Sequence, residues 1–186
     1  MFIPPHYRRL KRGPQVILPK DIGPIIAYTG VNKNSICVDA GTGSGWLAVS
    51  LARIAKQVVS YDNREDFIKI AERNRQNEGL DNLTIKLGDV KKRIAETDVD
   101  LVTLDLPDAH KAIKNAYKAL KAGGFVVGYL PHMEQVKDFV NALQKAGFGT
   151  MVTLETIERD ILVREQGVRP STKGVWHTGY LVFAQK

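Results

Sequence analysis

A chain of 186 residues, 44% of them apolar, is long enough to bury one full-sized core, and a charged fraction of 25% is ordinary for a globular domain. No stretch approaches the ~20 uninterrupted apolar residues that span a bilayer, and Met1-Phe2-Ile3-Pro4-Pro5 holds no apolar signal region; a membrane span is excluded and a cytoplasmic setting expected. The net charge of +7 favours a polyanionic partner, and the single Cys37, inside an apolar run, rules out an internal disulfide and reads as core filler.

Residues 1–19 hold four prolines and the basic cluster Arg8-Arg9-Leu10-Lys11-Arg12, which predicts an extended arm with an N-terminal motif and not a packed element. Asp21 reads as the N-cap of a helix over Ile22 to Tyr28, with Gly30 as its stop. From there residues 20–186 alternate strand and helix as one domain. Strands are expected at Ile36–Asp39, Gln57–Asp62, Leu83–Leu87, Val99–Leu104 and Phe125–Leu130. The helices between them run from Ser44 to Ala55, Arg64 to Gly79 and Ala109 to Leu120, the last stopped by Gly123-Gly124. A helix over Met133 to Ala146 follows. Phe148 to Arg159 and Val175 to Ala184 then read as two long strands joined by a loop carrying Arg164, Arg169 and Lys173. The expected fold is α/β: a doubly wound, Rossmann-like sheet, mostly parallel, with an antiparallel hairpin on one edge.

In such sheets ligands sit outside the carboxyl ends of the strands. The first strand runs into Asp39-Ala40-Gly41-Thr42-Gly43-Ser44-Gly45, where glycines permit a sharp turn and free amides face an anionic group. A dinucleotide turn reads G-x-G-x-x-G; here the third glycine comes one residue early and Trp46 takes its place. G-x-G-x-G behind an acid resembles the first motif of S-adenosylmethionine-dependent methyltransferases.

Acids stand at the next strand ends. Asp62, about 20 residues past the turn, can accept both hydroxyls of a ribose. Asp89, in Gly88-Asp89-Val90, either accepts from an adenine amine or caps a short helix over Lys91 to Ile94. Asp105, in Leu104-Asp105-Leu106-Pro107, is suited to hold an amidine edge beside the transferred methyl. Tyr129 either walls a base or is a core tyrosine, and His177 either meets RNA or serves local strand packing. The histidines and Cys37 show no metal-ligand spacing, so no metal is expected.

Arg12-Gly13-Pro14-Gln15-Val16-Ile17-Leu18-Pro19-Lys20-Asp21, the glycine turn and Ser60-Tyr61-Asp62-Asn63-Arg64 resemble the tRNA (adenine-N1) methyltransferases that act on adenosine 58 of the T-loop, archaeal members especially. So do Leu104-Asp105-Leu106-Pro107, Gly128-Tyr129-Leu130-Pro131 and His177-Thr178-Gly179-Tyr180. The resemblance implies S-adenosylmethionine as cofactor, tRNA as partner and a homo-oligomer, a tetramer in the family. It implies Asp105 as catalytic carboxylate and Tyr129 as a substrate-pocket residue. The cofactor would meet Gln15, Asp39, Gly41, Gly43, Ser44 and Gly45 on one side and Asp62, Asp89 and Val90 on the other. RNA would meet Arg8, Arg9, Lys11 and Arg12 on the arm, then Arg164, Arg169 and His177. Two departures stand out. The β-rich domain that usually precedes the N-terminal motif is not in this sequence, which either is cut short or leaves part of that work to the basic arm, and Leu18 replaces an aromatic ring or histidine found in some members. A small-molecule (corrin-precursor) methyltransferase and a non-catalytic tRNA-binding subunit are the rival readings.

Overall fold

The computed structural model describes residues 3–13 and 15–186; Met1, Phe2 and Pro14 lie outside the described residues, and with them the proline of the N-terminal motif. Five strands form the parallel part of the sheet: β1 (Ile36–Ala40), β2 (Gln57–Asp62), β3 (Leu83–Leu87), β4 (Val99–Leu104) and β5 (Leu120–Leu130). Their centres are buried on both faces because helices cover both faces. Alternate residues serve the two cores. Val38, Val59, Val102 and Val126 face α5 (Ile113–Ala119) and α6 (Met133–Ala146). Cys37, Val58, Leu101 and Val127 face α2 (Pro19–Thr29) and α3 (Trp46–Ala52). The remaining long helix, α4 (Glu65–Asn77), connects β2 to β3.

Two closing strands, β6 (Met151–Glu155) and β9 (Tyr180–Gln185), run antiparallel, with β9 between β5 and β6; the order is β3-β2-β1-β4-β5-β9-β6. They are shorter than the sequence predicts. What reads as one basic loop contains a separate two-stranded hairpin, β7 (Ile161–Arg164) with β8 (Gly167–Pro170).

Other local expectations need correction. Residues 5–9 are not extended: Pro4 and Pro5 start a short helix, α1 (Pro5–Arg9), which buries Tyr7, and Leu10 and Ile17 follow it into the core. Proline favours a first helical turn, where its missing N–H costs nothing. For the same reason α2 begins at Pro19, so Asp21 lies inside the first turn and caps nothing; it is buried and paired with Lys20 at 2.8 Å. Gly123-Gly124 falls within β5, pinned by the chain end, since Gly123 N–H donates to the Lys186 carbonyl at 2.8 Å. Asp89 caps a turn and not a helix. Among the described residues no helix is long and apolar enough to cross a membrane.

Candidate active site

The carboxyl ends of β1, β2 and β4 carry one polar row. Asp39 is paired in register with Ser60 on one side and Thr103 on the other. Both hydroxyls donate to it, at 2.5 and 2.7 Å, so the carboxylate is spent on its neighbours. Burial raises the pKa of Asp39 against these two bonds. Asp62 closes the turn: Oδ2 accepts the Gly43 N–H at 2.9 Å and Oδ1 the Arg64 N–H at 3.0 Å. Each oxygen keeps a second lone pair, so acceptance from a ribose stays open.

Gly41 is fixed by its surroundings. Its φ is +90°, and a Cβ there would lie 2.0 Å from the Asp105 carbonyl oxygen. Asp105 N–H in turn donates to the Ala40 carbonyl at 2.8 Å. The turn after β1 and the residue after β4 are thus built against each other, which places Asp105 beside the glycines. Gln135, in the first turn of α6, donates to the Pro107 carbonyl at 2.9 Å and steadies the other end of Asp105-Leu106-Pro107.

Two adjoining hollows meet at Asp105. The larger, about 320 Å³ with its open mouth, is walled by Gln15–Ile17, the glycine turn and Trp46. The inner one is a narrow seam with no room for a water molecule, running past Ile25 and Val127 to Tyr129. Among the described residues no side chain donates a hydrogen bond to the Asp105 carboxylate. Burial, then the charges of Asp39 and Asp62, push its pKa up to about 7. An unclaimed carboxylate facing a hollow is a group held ready for a ligand.

Two residues that line the larger hollow each carry a buried polar atom with no partner among the described residues, Ser44 Oγ and Trp46 Nε1. Buried donors are rarely left so. They fit a ligand with acceptor atoms, such as the carboxylate of an amino-acid moiety. Ser44 was legible from the turn. Trp46 was not, because an aromatic residue opening a helix reads as core, and only packing shows its N–H unpaired.

The structure distributes the other predicted residues unevenly. Gln15, Asp39, Gly41, Gly43 and Ser44 line the larger hollow with Asp105. Gly45 N-caps α3 at φ +83° and packs on Ala71 of α4. Val90 is core, and Asp89 Oδ1 accepts the Lys91 N–H at 3.0 Å. Tyr129 lies in the inner hollow, 8% exposed; burial drives its hydroxyl pKa up to about 12. His177 is held at both ring nitrogens, by Glu155 at 2.6 Å and the Pro131 carbonyl at 2.9 Å, and the Glu155 bond raises its pKa. Arg9 pairs with Glu78 at 3.3 Å, whereas the guanidinium of Arg12 lies 5.8 Å from the centre of the Trp46 ring. Lys11 is exposed at its side chain, as is Arg8; Arg164 and Arg169 stand exposed on the β7–β8 hairpin.

A sheet of this order, with a glycine turn after its first strand and an unclaimed carboxylate after its fourth, defines an S-adenosylmethionine-dependent methyltransferase. The chain belongs to the family described as tRNA methyltransferase complex GCD14 subunit, which matches residues 8–171. It is 40% identical to the tRNA (adenine(57)-N(1)/adenine(58)-N(1))-methyltransferase TrmI of Methanocaldococcus jannaschii, over 96% of this chain and 74% of that protein. It is 34% identical to the tRNA (adenine(58)-N(1))-methyltransferase TrmI of Thermus thermophilus, over 93% and 70%. Among solved structures, a SAM-dependent O-methyltransferase from Thermotoga maritima superposes with a TM-score of 0.92 at 34% identity, over 97% of this chain and 69% of that one. The tRNA (m1A58) methyltransferase TrmI of Aquifex aeolicus does so with a TM-score of 0.89 at 27% identity, over 95% and 72%.

Proposed function

We propose that this chain methylates N1 of an adenine in tRNA, at T-loop position 58 and in some substrates 57. The observation that carries the reading is the Asp105 carboxylate, which among the described residues has no protein donor and stands at the junction of the two hollows. The names of the relatives supply the nucleotide.

S-adenosylmethionine, when bound, supplies an electrophilic methyl group. Ser44, Trp46, Gln15, Asp62 and Asp89 are the residues to hold it. Adenine N1 carries its lone pair in the ring plane, so the protein need not make a nucleophile. It must orient the ring and balance the positive charge that methylation leaves on it. Asp105 accepts from the N6 amine, which does both, and takes a proton from N6 afterwards. The positive charge of a bound donor and of the methylated ring would draw the raised pKa of Asp105 back down, which keeps the carboxylate ionised when it is needed. The buried ring of Tyr129 walls the base. A T-loop adenine must be extruded first, at a cost of a few kcal/mol that phosphate contacts from Arg8, Lys11, Arg12, Arg164 and Arg169 offset. A cytoplasmic homo-oligomer belongs to this reading; Val152, Val163 and Val168, exposed on β6 and the β7–β8 hairpin, offer it apolar surface.

The test is methyl incorporation into unmodified tRNA, with the product nucleotide mapped by mass spectrometry. Expected is 1-methyladenosine at 58, lost when that nucleotide is uridine and lost in Asp105→Ala, which still binds the cofactor. Equal incorporation into the uridine-58 transcript would refute the target; full turnover in Asp105→Ala would remove the carboxylate from the mechanism.

A further inference from the structure

Asn74 is fully buried on the inner face of α4. A core-facing helix position ordinarily carries an apolar side chain. This amide makes three hydrogen bonds, none within its own helix. Nδ2 donates to the Lys11 carbonyl at 2.8 Å and to the Ser44 carbonyl at 2.7 Å, and Oδ1 accepts the Lys11 N–H at 2.8 Å. One side chain thus joins the backbone of the basic N-terminal segment to the backbone of the glycine turn. Two neighbouring contacts run the same way. Gly13 lies against Ser44, where an added Cβ would come 3.4 Å from its side chain. Tyr7 packs against Trp46 with the rings tilted and their centres 4.9 Å apart, and its hydroxyl meets Ser50. Just beyond this joint, Gln15, Val16 and Ile17 form one wall of the larger hollow.

We propose that Asn74 is a positioning residue that couples the basic N-terminal segment to the cofactor hollow, so that donor binding and docking of the segment are one equilibrium. The inference rests on the reading of that hollow as the cofactor site. A ligand there touches the glycine turn on one side and the Gln15–Ile17 wall on the other; Ile17 anchors the far end of the wall in the core, and the fastening of residues 11–13 to the turn holds its near end. Coupling of this kind is reciprocal. A polyanionic backbone that orders Arg8, Lys11 and Arg12 therefore raises affinity for the donor, and the donor raises affinity for the polyanion by the same factor.

The experiment pairs S-adenosylmethionine titration with limited trypsin digestion after Arg8, Arg9, Lys11 and Arg12. In the wild type, saturating donor slows cleavage at these bonds by about tenfold, in the usual range for coupled sites. Asn74→Ala is expected to weaken donor affinity by about tenfold and to cut the protection below about twofold. A merely structural role would lower the melting temperature of Asn74→Ala and leave its protection by donor intact. Lys11→Pro deletes one bond of the joint from the surface side and is the decisive variant if Asn74→Ala does not fold; its expected loss is about threefold, in the same direction. Donor affinity within twofold of wild type in both variants, or undiminished protection in Asn74→Ala, overturns the proposal. A wild type that does not bind the donor overturns the reading of the hollow instead.

Discussion

Asp105→Asn should make a poorer enzyme and a more stable protein. The pKa of Asp105 rises from 3.8 to about 7 because burial and two like charges disfavour its ionised form. A rise of that size corresponds to roughly 4 kcal/mol. The folded chain binds the proton more tightly than the unfolded one, so stability falls as pH rises between about 4 and 7 and stays reduced above. Below about pH 4 both states are protonated and the cost is absent. Asparagine keeps the shape and never ionises. At ~2–4 °C per kcal/mol for a chain of this size, full relief would be worth roughly 8–16 °C. The carboxylate is partly open to the hollow, which halves this, so about 4–8 °C is expected at pH 8.5 and about zero at pH 4. Turnover should fall ~10²-fold, the usual loss for one contact made to a developing charge. For the wild type, kcat/KM should climb with pH and level off above about 7. The assay is thermal melting of both proteins across pH, with and without S-adenosylmethionine; donor should stabilise the wild type more than the variant. A variant that melts no higher than wild type at pH 8.5 would show that the carboxylate is not desolvated, and the electrostatic argument would fail.

Gly41→Ala places a Cβ 2.0 Å from a backbone oxygen at φ +90°, so strain and overpacking together should cost ~2–5 kcal/mol by chemical denaturation and displace Asp105. Wild-type stability would mean that the two backbones are not in contact. Arg12→Glu and Arg169→Glu should each weaken tRNA binding and lower the log–log salt slope by roughly one. Arg9→Glu should change the slope less and the melting temperature more, because Arg9 is paired with the buried carboxylate of Glu78. Identical slopes for all three would detach the basic residues from RNA binding.

Much of the architecture was legible because its signals are local. Apolar runs fix β1 to β4 to within a residue or so, Gly30 stops its helix in the left-handed conformation, and α6 matches its apolar spacing. The N-terminal segment misled because prolines and cations read as an arm; its two buried anchors, Tyr7 and Leu10, are spaced too sparsely to form a pattern. The β7–β8 hairpin escaped for the same reason, its strands being only four residues each.

The order of residues alone determined that a glycine turn follows the first strand and that an acid stands at the ends of the second and fourth, since each depends only on what adjoins it in the chain. Which of those acids remains free was decided by the fold. Asp39 accepts from β2 and β4 and Asp62 from the glycine turn and Arg64, whereas among the described residues Asp105 accepts from no side chain. The linking of the N-terminal segment to the glycine turn through Asn74 belongs to the fold as well. A buried polar group's role is set by partners that lie dozens of residues away, and only packing brings them within hydrogen-bond reach.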